Sequence, residues 1–462
     1  METRQKQTKK DADRISPLHD SILHHILSFL PVKEVVQTSL VSKRWQELWK
    51  CLPYLRFQER DFTTRQRFIN FLERDFTTRQ RFINFLEPDF TTRHRFTKFL
   101  DYFLRKRDNK SSINRFALKC SKDVSDIWTS SLAAFSASVE ELDLEFGLIT
   151  RYHQLRDYPS CIFSCNSLVT LKLKAGGAMA RFPDKFFFPK MKNLQLSEFI
   201  LPKTFSYHLL KSPNLENLFL FRCGAYMTFS SSDNESDLDR WAKLDEADIC
   251  LQLPDFNSDG RVSTFVRMLT SVKILHLRDT CIKHLRYERN LSQRLPKFRN
   301  LKHLELGLSA ENGDIGVMAC LLNCTSNIKS LDITFADCNP GETGLIPKQF
   351  ELLFLPPSLK WIRMSEFCGR ANQVELLRLL LNSEILEKII VELDYKVMDP
   401  DLLRELRPST SSCLLEIRHS PITAEKIVRR SRELDPSTIR CRLQRSTIIS
   451  PMDLLRSYDD DM

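Results

Sequence analysis

One spacing constrains this chain more than any other feature. From residue 112 onward the pattern apolar-x-x-apolar-x-apolar keeps returning, as Ile113/Phe116/Leu118, Val139/Leu142/Leu144, Leu168/Leu171/Leu173, Met191/Leu194/Leu196 and Leu215/Leu218/Leu220. It continues as Leu244/Ala247/Ile249, Val272/Leu275/Leu277, Leu301/Leu304/Leu306, Ile328/Leu331/Ile333, Leu359/Ile362/Met364 and Leu386/Ile389/Val391. A single triple carries little weight, because a chain this apolar makes several by chance. The starts, however, lie 23 to 31 residues apart, and eight of the eleven are preceded by Ser or Asn. Such a period implies stacked units, each with one short strand and a return segment. No unit buries its apolar side alone, so neighbours must share one continuous core. A β-sandwich would turn about every 8–12 residues instead.

Composition narrows the function classes. Of 462 residues, 42% are apolar and 28% charged, the balance of a folded chain. Only 11 Gly against 32 Phe argues against Gly-rich phosphate loops and for heavy apolar burial. No apolar run approaches the roughly 18 residues that span a bilayer, and Met1 to Arg14 is polar and basic, so neither a membrane span nor a secretory signal is expected. The 13 cysteines are scattered, and the closest pairs, Cys161/Cys165 and Cys320/Cys324, lack further ligands at metal spacing. They read as small buried hydrophobes, and no metal or cofactor is expected. Asp255, Asn257, Asp259 and Gly260 imitate half a calcium loop, but Val266 stands where a bidentate Glu is needed. There is no P-loop, dinucleotide fingerprint or nucleophile elbow, and the carboxylates between Asp233 and Asp248 read as an acidic loop. Nothing suggests catalysis.

Residues 1–110 hold 23 Lys and Arg against 14 Asp and Glu, while the remaining 352 hold 46 against 45. A basic N-terminal third suits acidic partners or nucleic acid. No stacking array of aromatic and basic residues accompanies it, so solvated helix faces are the better reading and nucleic acid a distant third.

Residues 13–53 read as three short helices. Asp20 is positioned to cap a helix through Ile22, Leu23, Ile26, Leu27 and Leu30, which Pro31 ends. Lys33 to Ser39 forms a second, and Ser42 precedes a third in which Trp45 and Trp49 share one side. Three helices of this size bury too little alone, so the unit packs against its own chain or a partner. The run Asp13-Arg14-Ile15-Ser16, Leu18, Asp20, Ile22-Leu23, Ile26 to Pro31, Thr38-Ser39, Ser42 to Trp45 and Leu48-Trp49 resembles the F-box of plant F-box proteins. That resemblance implies contact with a Skp-type adaptor and, through it, cullin. It assigns Leu18, Ile22, Ile26, Leu30, Pro31, Trp45 and Trp49 to making or supporting the contact. One departure is His19, which stands where the family carries Pro.

Glu59 to Leu72 reads ERDFTTRQRFINFL, Glu73 to Leu86 repeats it unchanged, and Glu87 to Leu100 is a diverged copy, EPDFTTRHRFTKFL. The third copy runs into a helical pattern ending near Arg107, so the first two read as an insertion between modules. A coiled-coil arm would need a stricter seam.

The period of the remaining array resembles that of leucine-rich repeats, in the irregular form found behind plant F-boxes. Leu355 to Lys388 is similar to the FBD module, one more strand–helix unit expected to close the array, with Val374, Leu377 and Leu381 inward. The fold expected is therefore α+β or α/β repeat, a short all-helical F-box followed by an irregular leucine-rich-repeat solenoid. Its parts are a basic tail (1–12), the F-box (13–53), a linker with the tandem copies (54–110), repeats (111–354), FBD-like terminal repeats (355–420) and a C-terminal tail (421–462).

Strand alternation sends Asp143, Glu145, Lys172, Lys174, Phe219, Phe221, His276, Arg278, Glu305 and Arg363 outward. Phe219, Phe221, His276 and Arg278 form the candidate target patch, since aromatics and Arg anchor interfaces. The resemblance implies a non-catalytic substrate-recognition adaptor of an SCF-type ubiquitin ligase, in the nucleus, the cytoplasm or both, with a target protein still to be identified. The competing reading is a repeat scaffold or ligand sensor with an unproductive F-box.

Overall fold

The computed structural model describes residues 15, 17–39, 44–62, 92–108, 110–120, 138–146, 158, 160–176, 180–225, 243–252, 261–309, 312–336, 354–393 and 413–419. The chain opens with α1 (Asp20–Leu27), α2 (Val32–Thr38) and α3 (Trp45–Leu48), the last running into a 3-10 turn, Trp49–Cys51. The cap of α1 is His19 rather than Asp20: its Nδ1 accepts the Ser21 N–H at 3.3 Å. Asp20 is instead the first helical residue, where an anion suits the helix dipole, and Arg44 hydrogen-bonds it at 2.5 Å. Helix α1 stops at Leu27 with Ser28 as its cap, short of the expected Leu30, and Pro31 caps α2 with its carbonyl, which accepts from Glu34 and Val35. Ser42 lies outside the described residues.

Next come β1 (Tyr54–Gln58), a 3-10 turn (Glu59–Phe62) and α4 (Thr92–Lys106). The following strands are β2 (Arg115–Cys120), β3 (Glu141–Phe146), β4 (Thr170–Lys174), β5 (Ala180–Arg181), β6 (Asn193–Ser197), β7 (Phe199–Leu201) and β8 (Asn217–Ala225). After these come β9 (Glu246–Gln252), β10 (Ile274–Leu277), β11 (His303–Ser309), β12 (Ser330–Ala336), β13 (Trp361–Phe367), β14 (Lys388–Leu393) and β15 (Leu414–His419). All fifteen belong to one sheet in chain order, every pair parallel, with β5 and β7 forming a short side ladder.

The register is that of the sequence pattern. Leu118, Leu144, Leu173, Leu196, Leu220, Ile249, Leu277, Leu306, Ile333, Met364 and Val391 stand side by side across the sheet. Each is at most 1% exposed, so one row of the core is the third apolar position of every triple. A parallel stack fills that row because each strand hides only its own width of its neighbours. Among the described residues, helices fill several of the return segments between strands: α5 (Ser160–Phe163), α6 (Phe205–Leu209), α7 (Arg261–Arg267), α8 (Asp279–Arg286), α9 (Leu291–Arg294), α10 (Asn312–Asn323) and α11 (Ala371–Leu381). Gly307 is needed where β11 passes the start of α8, since a Cβ there would sit 2.6 Å from the Asp279 nitrogen.

Several expectations change. The sheet begins at Tyr54, inside the segment read as a linker, because Leu55 and Phe57 pair with Phe116 and Leu118. Leu52/Leu55/Phe57 follows the same apolar spacing, and all three are 1% exposed. Helix α4, the end of the third tandem copy, is structural: Phe103 meets Trp49 at 5.0 Å and Phe57 at 5.3 Å between ring centroids. Phe62, from the first copy, packs on Phe96 and Phe99. One apolar cluster therefore runs from Leu23 through this junction to Cys413. Residues 63–91, which hold most of the tandem copies, lie outside the described set, as does the C-terminal tail. Asp245, Glu246 and Asp248 lie at or on β9 rather than in an acidic loop; residues 231–242 are outside the described set. Val266 is fully buried in α7, and Asp255 to Gly260 are not described. At the far end, α11 buries Val374, Leu377 and Leu381 as expected. Within the span given to the terminal repeats, the stack runs on past Lys388 to β15, where Ile417 is 40% exposed.

Candidate interaction surfaces

Helix α1 carries two apolar stripes about one residue apart. Leu23 and Leu27 point into the core, with Leu30 half-buried behind them. Ile22, Ile26 and Phe29 follow the same i, i+4, i+7 spacing on the next face and stay exposed, at 47%, 39% and 69%. Ile15 is also exposed, and Phe29 stacks edge-on against His25 at 5.1 Å.

Of the seven expected adaptor-binding residues, only Ile22 and Ile26 are well exposed. Leu18, Leu30 and Pro31 are half-buried, and the Leu18 carbonyl accepts a hydrogen bond from Arg44 at 2.5 Å. Trp45 and Trp49 are both buried inside the chain, Trp49 against Phe103, which leaves them the supporting part of that assignment rather than direct contact. Trp49 thereby joins the helical unit to α4 at the edge of the sheet. Ile15 and Phe29 are the exposed residues that the site assignment omitted. Phe29 was findable, since it extends the Ile22–Ile26 stripe by three residues.

The sheet's outward face is a grid set by register. One row reads Arg56, Ala117, Asp143, Lys172, Gln195, Phe219, Asp248, His276, Glu305, Asp332, Arg363, Ile390 and Glu416. Phe219 is half-buried in it, and Phe221, two residues on, is 50% exposed. Both therefore face outward, between buried Leu218 and Leu220.

His276 and Arg278 do not add a basic rim. Arg278 holds both oxygens of Asp248, at 3.0 and 2.6 Å, and reaches Glu305 at 3.0 Å. The His276 imidazole shares a 2.5 Å hydrogen bond with the other oxygen of Glu305. The contact with His276 depresses the Glu305 pKa, and the bonds that Arg278 donates to Asp248 raise its own. Burial alone would depress His276, but Glu305 and Asp248 carry it above its ordinary value. Lys174 is likewise held by Glu145 at 2.8 Å. These charges are mutually satisfied, so a partner meets a neutralised surface there. No group of three or more His, Cys, Asp or Glu suited to a metal occurs among the described residues. Nor is any described helix long and apolar enough to cross a membrane.

Comparison with known proteins gives these surfaces a class. The F-box domain family matches residues 15–57, and the leucine-rich repeats of the FBD-associated F-box protein At5g56370 match residues 125–246. The chain is an F-box protein with leucine-rich repeats. Over most of its length it is similar to plant F-box/FBD/LRR-repeat proteins. Among its relatives in Arabidopsis thaliana is the FBD-associated F-box protein At1g66310, 26% identical over 88% of this chain and 97% of that protein. The F-box/LRR-repeat protein 13 is 25% identical over 87% and 96%. The F-box/FBD/LRR-repeat protein At4g00160 reaches 50% identity over 56 residues, 12% of each chain.

Proposed function

We propose that this chain is the substrate-recognition subunit of an SCF-type ubiquitin ligase. Its F-box docks a Skp-type adaptor and, through it, cullin, and its repeats, stacked as an irregular solenoid, hold a target protein for ubiquitin transfer. The chain itself makes and breaks no bond. The observation that carries this reading is the exposed stripe of Ile22, Ile26 and Phe29 within the segment matched as an F-box. Apolar side chains held out on a well-packed helix gain most of their burial only when a partner covers them. The outward Phe219 and Phe221 supply a candidate target contact of the same kind on the sheet. Affinity purification of the full chain, with the bound proteins identified, tests the reading. Adaptor and cullin are expected together; their joint absence favours a repeat scaffold or ligand sensor.

A further inference from the structure

A cleft of about 400 Å³ lies between the C-terminal end of α1 and the outward side of β1 to β4. His25, Ser28 and Phe29 line it from the helix, and Tyr54, Arg56, Ala117, Asp143 and Lys172 are among its sheet-side lining. Its charges differ from those farther along the sheet. Arg115 is committed to Glu141 at 2.9 Å and stacks over the Tyr54 ring. Lys119 and Lys174 both bind Glu145, at 3.0 and 2.8 Å. That leaves Asp143, half-buried in the cleft, with neither a hydrogen bond nor an ion pair among the described residues. Arg56 and Lys172 are equally uncommitted. The residue in register between Arg56 and Asp143 is Ala117, whose methyl group leaves the space over the carboxylate open.

Burial pushes the Asp143 pKa up, with Lys119 and Lys172 pulling against it. A carboxylate partly withdrawn from water and without a protein donor is less well solvated than a free one, which an incoming cation or N–H group relieves. Farther along the sheet, Asp248 and Glu305 have already met that need with Arg278 and His276.

We propose that this cleft receives a segment of the target polypeptide that sets a lysine or arginine side chain on Asp143, with an acidic neighbour against Arg56 or Lys172. Tyr54 supplies an apolar wall for the aliphatic stem of the incoming residue, with Phe29 at the rim on the helix side. The alternating floor of Arg56, Asp143 and Lys172 selects a mixed-charge segment over a uniformly basic one, by like-charge repulsion at its edges. Phe29 also belongs to the exposed α1 stripe, so the target would be gripped beside the adaptor-docking helix. The inference rests on the target-recruiting role proposed above and names the chemistry that such a target presents.

The test uses the full chain bound to its adaptor and two peptides that carry fluorescein on the N-terminal amine, fluorescein-Gly-Glu-Ala-Lys-Ala-Glu-Gly-amide and the same sequence with norleucine for lysine. Anisotropy at low salt should show the lysine peptide binding roughly tenfold more tightly, the size of one charge-assisted hydrogen bond. Asp143→Asn, which keeps the shape, should close that gap. Ala117→Lys, which supplies an ammonium from the neighbouring strand, should close it too while leaving thermal unfolding unchanged or raised. Equal binding of the two peptides, binding of neither, or a gap that survives both variants overturns the assignment. Adaptor retention is measured in the same samples: a preparation that holds adaptor yet shows no lysine preference overturns the cleft alone. Failure to hold adaptor overturns the broader reading.

Discussion

On α1, Ile22, Ile26 and Phe29 face solvent, whereas along the sheet the apolar positions of the repeat pattern face inward and the outward positions are mostly polar or charged. The two regions obey the same burial physics with different partners in view. The helical unit is too small to cover both stripes of its first helix, so one is left for another chain. The sheet completes its own core through its neighbours, and its outward charges largely neutralise each other. An apolar stripe suits an adaptor shared by many such chains. A charge-paired sheet with a few unsatisfied positions suits a selective target, because a partner gains there only where it supplies what is missing.

The largest predicted effect lies at the seam between the two regions. Trp49→Ala empties the contact with Phe103 and should cost about 3–5 kcal/mol of folding stability, the usual range for a buried aromatic truncated in a core. Denaturant unfolding checks it. A loss below about 1 kcal/mol would mean that the two regions do not share a core.

A pH effect separates the sheet's paired charges from the apolar stripe. Glu305 and Asp248 raise the His276 pKa against the opposing effect of burial, so protonation favours the folded state. The stabilisation is fully present below the unfolded value of about 6.5 and is lost as pH rises through the higher folded value. The margin in thermal unfolding temperature of the wild type over His276→Asn should therefore shrink as pH rises from about 6 to 8, a comparison that cancels the opposite trend of His208, His284 and His303, whose pKa values burial lowers. Adaptor affinity should not follow it, since no part of the network touches α1.

Smaller effects sharpen the helical side. His19 has φ −63°, which proline adopts without strain, but His19→Pro removes the cap accepted from Ser21. Adaptor binding should tighten by no more than about 1 kcal/mol by calorimetry, as a rim change. Weaker binding would show that the cap matters more than the family's proline. The smallest effect is expected from deleting Glu59 to Leu86. The deletion joins Gln58 to Glu87 and puts Phe90 in the sequence place of Phe62, so cooperative unfolding and adaptor binding should both persist. Loss of either would assign the tandem copies a structural role.

The repeats were legible because strand alternation and a recurring period leave little freedom: each of the eleven triples reappears in a strand or at its entry. The first strand was not, although Leu52/Leu55/Phe57 has the pattern. It starts 61 residues before Ile113, and the spacing that admits the other triples excludes it. Whether Trp45 and Trp49 make the contact or support it from inside was not legible, because helical spacing reports which side chains share a face, not what covers that face. The ion pairs of Arg278 and His276 depend on partners 27 to 30 residues away, brought adjacent only by the register of the sheet. Asp143 was readable as outward, but its lack of a partner emerges only once Lys119 and Lys174 are seen to converge on Glu145.

The central claim is that the exposed stripe of α1 is an adaptor-docking surface. Calorimetric titration of a purified Skp-type adaptor into the full chain, wild type and Ile22→Glu/Ile26→Glu, tests it most directly. Both side chains are exposed, so the double variant should keep its thermal unfolding. Its adaptor affinity should fall by about 2 kcal/mol or more, at least roughly 30-fold, as for charge placed in an interface centre. Unchanged affinity in a folded double variant would contradict the account.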